Sequence, residues 1–411
     1  MRTKIAGLVA LTLLGAAGCG DDDKATPSAK LAGSITVAAA GGEGEIKALQ
    51  SVADAFEVAN PGTTVTLDTV EGAGDLIGKL TTAFAAQSAP DVFVMNYRRL
   101  GGFAAKGVIE PVPSGGTEGM YDAPLEAFTF DGKLLCRPSN ASSMVVYYNT
   151  KLFTQAGVDV PKSDWTWDDL KATATELRGK GVSSIGFETA LIRLAPFVWS
   201  NGGEIVDDAD KPTTVDLSSP EAKEAVQLLL DLQKTGMSAT DRAAQDPEEA
   251  FSAGKVAMYL DSRRAVPGFR KTAGLSFDVA PVPTKKEDVS VLHSDGYCVT
   301  KAGKNRALAQ AFAAFATSGA GANVLAKSGR TVPVKKSVAQ SADFLGTEAP
   351  KSSQVWLDQI DGVRPLPHTP TWNEAEGVTE EILSQLFAGK TTLDKAIADI
   401  AAQTKVELAK A

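Results

Sequence analysis

His293 and His368 are the only two histidines in this 411-residue chain, and neither has cysteines or a cluster of acids beside it at ligand spacing. A zinc centre therefore has no donor set. Gly72-Ala73-Gly74-Asp75-Leu76-Ile77-Gly78-Lys79 has the glycine content of a phosphate-cradling loop but fails at two points that chemistry requires. Position 73, where the first glycine belongs, is alanine, and Leu80 stands where a hydroxyl would meet magnesium. No Gly-x-Ser-x-Gly segment offers a nucleophile elbow. Carboxylates are plentiful, and two held about 5 to 9 Å apart would serve a glycosidase, but nothing in the sequence selects a pair.

The one cysteine with a local motif is Cys19. Met1-Arg2-Thr3-Lys4, an apolar run over residues 5–17 and Gly18 precede it, the pattern of an export signal too short to span a membrane. Ala16-Ala17-Gly18-Cys19 resembles a bacterial lipoprotein processing box, although Ala16 stands where leucine is usual. This predicts a signal peptide over 1–18, lipidation of Cys19, and a protein held by that lipid alone to the outer face of the bacterial cell membrane. A plain secretory cut near Ala17 is the alternative. Residues 19–33, with Asp21, Asp22, Asp23, Pro27 and Ser28 and no apolar periodicity, read as a flexible tether.

The remainder is long enough for two domains. A hydrophobic content of 44% and a charged content of 22% are those of a globular chain, and no second apolar run is long enough to cross a bilayer. The net charge of −9 opposes nucleic acid as a partner, since phosphate contacts need clustered Lys and Arg. With Cys19 lipidated, Cys136 and Cys298 remain, an even number that permits one disulfide or two separate buried thiols. Spacing does not choose.

The elements that would position a site begin at residues 34–38, which alternate with β-branched residues. Leu49, Val52, Ala53 and Phe56 follow at helical spacing, Asn60-Pro61-Gly62 turns the chain, and residues 63–67 read as a second strand: a βαβ opening with a parallel sheet. Leu76, Leu80, Ala83 and Phe84 give a helix, and residues 91–95 a strand apolar enough to be buried on both faces. Thr166 with Asp169 reads as a capping box, and Ser219-Pro220-Glu221 as a cap, a first-turn proline and a first-turn acid. Ala225, Leu228, Leu229 and Leu232 supply the buried stripe that follows. The C-terminal third is mostly helical, notably residues 307–316 and 383–411.

Several segments together resemble one family. They are residues 35–56 with the turn Gly41-Gly42-Glu43; Ala89-Pro90-Asp91-Val92-Phe93-Val94-Met95 leading to Gly101-Gly102-Phe103-Ala104; Asp131-Gly132-Lys133; Val145-Val146-Tyr147-Tyr148-Asn149; Trp167-Asp168-Asp169-Leu170; Asn201-Gly202-Gly203-Glu204; and Phe251-Ser252-Ala253-Gly254-Lys255-Val256-Ala257-Met258. Their order over residues 34–398 resembles the extracellular solute-binding proteins of carbohydrate importers, the group that includes the maltose-binding protein. The resemblance implies an α/β fold of two lobes, the type II or Venus-flytrap arrangement of periplasmic binding proteins, with hinge crossings between the lobes. One lobe is expected at 34–137 plus 299–338 and the other at 139–296 plus 340–411, with ligand enclosed between them. It further implies a monomeric, non-catalytic substrate-binding component of an ABC importer, with no cofactor or metal, which hands a sugar or oligosaccharide to the permease subunits. An extracellular glycoside hydrolase is the reading from another class. By the same alignment Cys136 and Cys298 fall on neighbouring strands entering a crossing, and a disulfide at the hinge is expected.

Sugars call for planar hydrogen-bonding groups and an aromatic face in a largely preformed cleft. The resemblance implies Glu43 in the turn after the first strand; Asn96, Tyr97 and Arg98 at the carboxyl end of the strand 91–95; and Asn140, Ser142 and Ser143 just past the first crossing. Trp199 and Trp372 are the expected stacking platforms, with Trp165, Trp167 and Trp356 assigned to packing. Many relatives carry Gly-Pro-Trp after the Ala-Met strand, whereas this chain has Asp261-Ser262-Arg263-Arg264. With Arg98, His293, Asp295 and Arg330, Arg264 suggests a charged cleft in which a uronate, a sugar phosphate or glycerol phosphate is conceivable. Pairing of Arg264 with Asp261 or Asp295 inside the protein is the competing reading.

Overall fold

The computed structural model describes residues 31–346 and 348–410. The expected signal peptide, Cys19 and most of the tether lie outside the described residues. The main strands are, in chain order, β1 (Gly33–Ala40), β2 (Thr63–Val70), β3 (Val92–Asn96), β4 (Cys136–Pro138), β5 (Val145–Asn149), β6 (Ser183–Gly186), β7 (Val256–Asp261), β8 (Phe277–Pro281) and β9 (Asp295–Val299). The main helices are α1 (Glu43–Ala59), α2 (Ala73–Ala85), α3 (Trp167–Gly179), α4 (Leu191–Ser200), α5 (Pro220–Thr235), α6 (Arg306–Ala316), α7 (Trp372–Phe387) and α8 (Leu393–Leu408).

Two sheets result. The first runs β2-β1-β3-β9-β4, with β1 parallel to both β2 and β3 and β9 antiparallel to both β3 and β4. The second runs β8-β5-β7-β6, with β5 antiparallel to both of its neighbours. The expected βαβ opening is thus present. Period-two alternation divides the buried residues of the first sheet between its faces. Ile35, Val37 and Val92 pack with Leu49, Val52 and Phe56 of α1 and Phe312 of α6. Ala38, Phe93 and Met95 pack on the other side with Leu76 and Leu80 of α2. The second sheet has α3, α4, α5, α7 and α8 on one face and an aromatic cluster on the other that includes Tyr147, Tyr259, Phe269 and Trp356.

The caps stand where the sequence puts them. Thr166 accepts from the Asp169 backbone N–H at 3.2 Å while the Asp169 carboxylate accepts from that of Thr166 at 2.8 Å, and Ser219 accepts from Ala222 N–H at 3.1 Å. The helical tail divides at Gly389, whose φ of +70° ends α7 before Thr392 caps α8.

Between the sheets the chain runs as adjacent extended segments. Ser142 and His293 exchange both backbone hydrogen bonds, at 3.0 and 2.8 Å, and Ala141 N–H donates to Val332 O at 3.0 Å. Just on the first-sheet side of this seam Cys136 and Cys298 sit directly opposite each other in the β4–β9 ladder, with Cα atoms 4.3 Å apart, and form a disulfide. A lobe boundary drawn between residues 296 and 299 cuts through β9, which lies whole in the first sheet.

Candidate functional site

A cleft of about 890 Å³ opens between the two sheets. The first sheet contributes Asn96 at the end of β3, Arg98 and Arg99 in the turn after it, and the starts of α1 and α2 through Gly41, Glu45 and Ala73. The other side contributes Glu188 to Arg193 at the entry to α4, Ser262 and Arg264 after β7, and Glu380 of α7. Asn140, Ser142, His293, Asp295, Arg330 and Thr331 come from the seam or beside it.

Of the residues expected in the site, the structure brings Asn96, Arg98, Asn140, Ser142, Arg264 and Asp295 to this cleft. The local backbone turns the others away. Asn96 ends β3 and caps a short 3-10 turn over Tyr97–Arg99; Arg98 and Arg99 of that turn reach the cleft, while Tyr97 points into the core, where its hydroxyl donates to Leu292 O at 3.1 Å and accepts from Leu366 N–H at 2.9 Å. Ser142 faces the cleft, so Ser143 turns away and is fully buried near Gln359. Glu43 is exposed at the first position of α1, and Glu45, two residues on, reaches the cleft instead.

The two expected platforms are placed elsewhere. Trp199 lies in a helix buried on every side, with the Arg364 guanidinium 4.6 Å above its ring. Trp372 has no exposed surface and joins Ala375, Ile382 and Leu383 on the apolar stripe of α7. Among the described residues the only ring lining the cleft is the His293 imidazole.

Four of the five arginines that line the cleft are paired with carboxylates. Arg264 contacts Asp261 at 2.5 Å and Glu248 at 2.8 Å, so it both lines the cleft and pairs internally. Arg193, missing from the expected set, donates to Asp261 at 2.8 Å and to Glu188 at 3.0 Å. Arg330 meets Glu45 at 2.7 Å, and Arg98 meets Glu376 of α7. Asp295 accepts from Asn96 at 3.2 Å and from Asn140 at 3.3 Å, which joins β3, β9 and the first crossing in one polar unit. Burial, reinforced by the charge of Arg193, holds the His293 imidazole well below its ordinary pKa, so it is neutral.

Glu380 gives this arrangement a pH signature. Burial, with Glu376 beside it, pushes its carboxyl up to about 7 despite Arg98. A raised acid stabilises the fold fully below the ordinary carboxylate value, and that contribution is lost as pH rises through about 7. Glu380→Gln is therefore expected to melt with the parent at pH 4 and above it at pH 8. Coincident melting curves across that range would remove Glu380 as the titrating group.

A family model described as bacterial extracellular solute-binding protein matches residues 40–323. A relative from Brucella abortus (strain 2308) is 27% identical over 377 residues, covering 88% of this chain and 90% of its own. The maltodextrin-binding protein of Bacillus subtilis (strain 168) is 23% identical over 317 residues, or 74% of each chain. An ABC substrate-binding protein from Listeria monocytogenes, solved in complex with cycloalternan, superposes with a TM-score of 0.82 at 25% identity, covering 92% of this chain and 98% of that one.

Proposed function

This chain belongs to the bacterial extracellular solute-binding proteins, and from that premise we propose that it is the receptor of an ATP-driven importer, capturing a sugar between its two halves and presenting it to a membrane permease. The observation that carries the reading is the cleft itself, about 890 Å³ in volume and lined from both sheets by polar side chains, among them Asp295, Asn96 and Asn140, which fix one another. Such groups match the alternating donors and acceptors of a polyol. The names of the maltodextrin- and cycloalternan-binding relatives support a carbohydrate.

In this reading the seam at residues 139–144, 290–294 and 331–334 is the hinge, and ligand contacts made from both sides favour the closed form. The protein acts as a monomer, performs no chemistry on the sugar, and is tethered through a lipid on Cys19; Cys19→Ser would then release it from the membrane fraction. Thermal melting of the purified protein against neutral and acidic sugars tests the reading. The right ligand at about 100 times its dissociation constant adds about 2.7 kcal/mol, and chromatography recovers it unchanged. Product formation, or no response to any carbohydrate, would defeat the proposal.

A further inference from the structure

A second hollow, of about 660 Å³, adjoins the cleft. Glu188 and Arg264 line both cavities, so the two meet across one ion pair, whose charged groups stand 3.5 Å apart. This boundary is open to a ligand: 37% of the Arg264 side chain and 40% of that of Glu188 remain exposed. The other walls are the short helix Pro247–Ser252, the residues on either side of it, and Thr272. Every lining residue therefore belongs to a connection of the second sheet, after β6, before or after β7, or before β8.

Arg264 is fixed in place at the boundary. Its Nη1 meets Glu248 at 2.8 Å, and its Nη2 meets Asp261 at 2.5 Å and donates to the Tyr259 hydroxyl at 3.3 Å. Groups held in this way cost little further ordering when a ligand arrives. The lining also selects the kind of occupant. Four carboxylates, from Glu188, Asp246, Glu248 and Glu249, against the single guanidinium of Arg264 disfavour an anion, and Ala253 is the only apolar side chain in the described lining. Among the described residues no three of these acids are placed to hold a metal ion. The carboxylates, the Gln245 amide and the hydroxyls of Ser252 and Thr272 suit the hydroxyl groups of a neutral polyol.

We propose that this hollow extends the binding site for an oligosaccharide, one end of which lies in the cleft while further rings pass Arg264 and Glu188 onto the connections of the second sheet. This rests on the receptor reading above. Because the hollow is built from one side only, contacts there are alike in open and closed forms, and extra rings add affinity without driving closure. The probes are ladders of one to four rings in α- and β-linked gluco-, xylo-, manno- and galacto-oligosaccharides, titrated calorimetrically. In the ladder that binds, four rings are expected to bind about 10-fold tighter than two, the worth of one or two net hydrogen bonds. Ala253→Trp places a large ring in the hollow at an exposed position outside the cleft. It should abolish that gain while leaving the two-ring affinity and the unliganded melting temperature as in the parent. Thr272→Trp, made separately, should do the same. No gain from two rings to four, or a gain that survives both substitutions, overturns this inference and leaves the receptor reading standing. Failure of every ladder to bind overturns both.

Discussion

Asp261→Ala is expected to destabilise the unliganded protein by about 3–5 kcal/mol, the usual result of stripping a buried charge of its partner. The carboxylate is fully buried at the end of β7, and both oxygens are committed: Oδ1 accepts from Arg193 at 2.8 Å and from Ser262 N–H at 2.6 Å, and Oδ2 accepts from the Tyr259 hydroxyl at 2.8 Å and faces Arg264 at 2.5 Å. Without it Arg193, whose side chain is 4% exposed, retains only the half-exposed Glu188. Burial alone would raise the Asp261 carboxyl, but Arg193 and Arg264 more than offset this and hold it below the usual carboxylate range. A depressed acid stabilises above its unfolded pKa and loses that contribution as pH falls through the folded value, so the gap between parent and variant should narrow in acid. Urea unfolding at pH 7 and pH 3 tests both parts. Arg193→Met added to Asp261→Ala should recover part of the loss, since the unpaired charge goes with it. A single variant as stable as its parent would show that the carboxylate is dispensable.

The second large effect belongs to the disulfide. Cys136 and Cys298 are separated by 162 residues, and for a loop of that size the chain-entropy account assigns about 5 kcal/mol of stabilisation. The bond joins two strands already paired in the first sheet, which reduces the gain in practice. Replacing both cysteines by alanine should still lower the urea midpoint of the unliganded protein by an amount equivalent to about 2–5 kcal/mol. Treatment with a phosphine reductant under partly unfolding conditions should produce the same shift in the parent and none in the variant. Equal midpoints with and without the bond would show that the sheet register alone holds β4 to β9.

The sequence was most legible where a local rule governs structure. The βαβ opening, the capping box at Thr166 and the Ser219-Pro220 helix start each follow from short-range geometry. In the cleft, resemblance reached the right segments without reaching the right register. Tyr97 and Ser143 are one residue from groups that line the cleft: Ser143 follows Ser142 in an extended segment, where one residue reverses the direction of a side chain, and Tyr97 opens a 3-10 turn whose next two residues reach the cleft. Trp372 has buried Ala375 and Thr379 one and two turns further along α7, and that spacing already marks a core stripe. Arg193 had its own signal. It is the lone charge in Leu-Ile-Arg-Leu-Ala-Pro-Phe-Val-Trp-Ser, and a charge within an apolar helix must find a carboxylate. The carboxylate lies on β7, distant in sequence, and local patterns carry no information about such a partner.

The order of strands in the first sheet has a consequence for how the chain is made. Its fourth strand in space, β9, is the last of the five in sequence, inserted between β3 and β4. No nascent chain ending before Val299 can complete that sheet, and none can close the disulfide before Cys298. The amino-terminal half therefore stays without its final partner until most of the polypeptide exists. Topology thus postpones compaction of the first half: the sheet closes and the cysteines join only after most of the chain has been made.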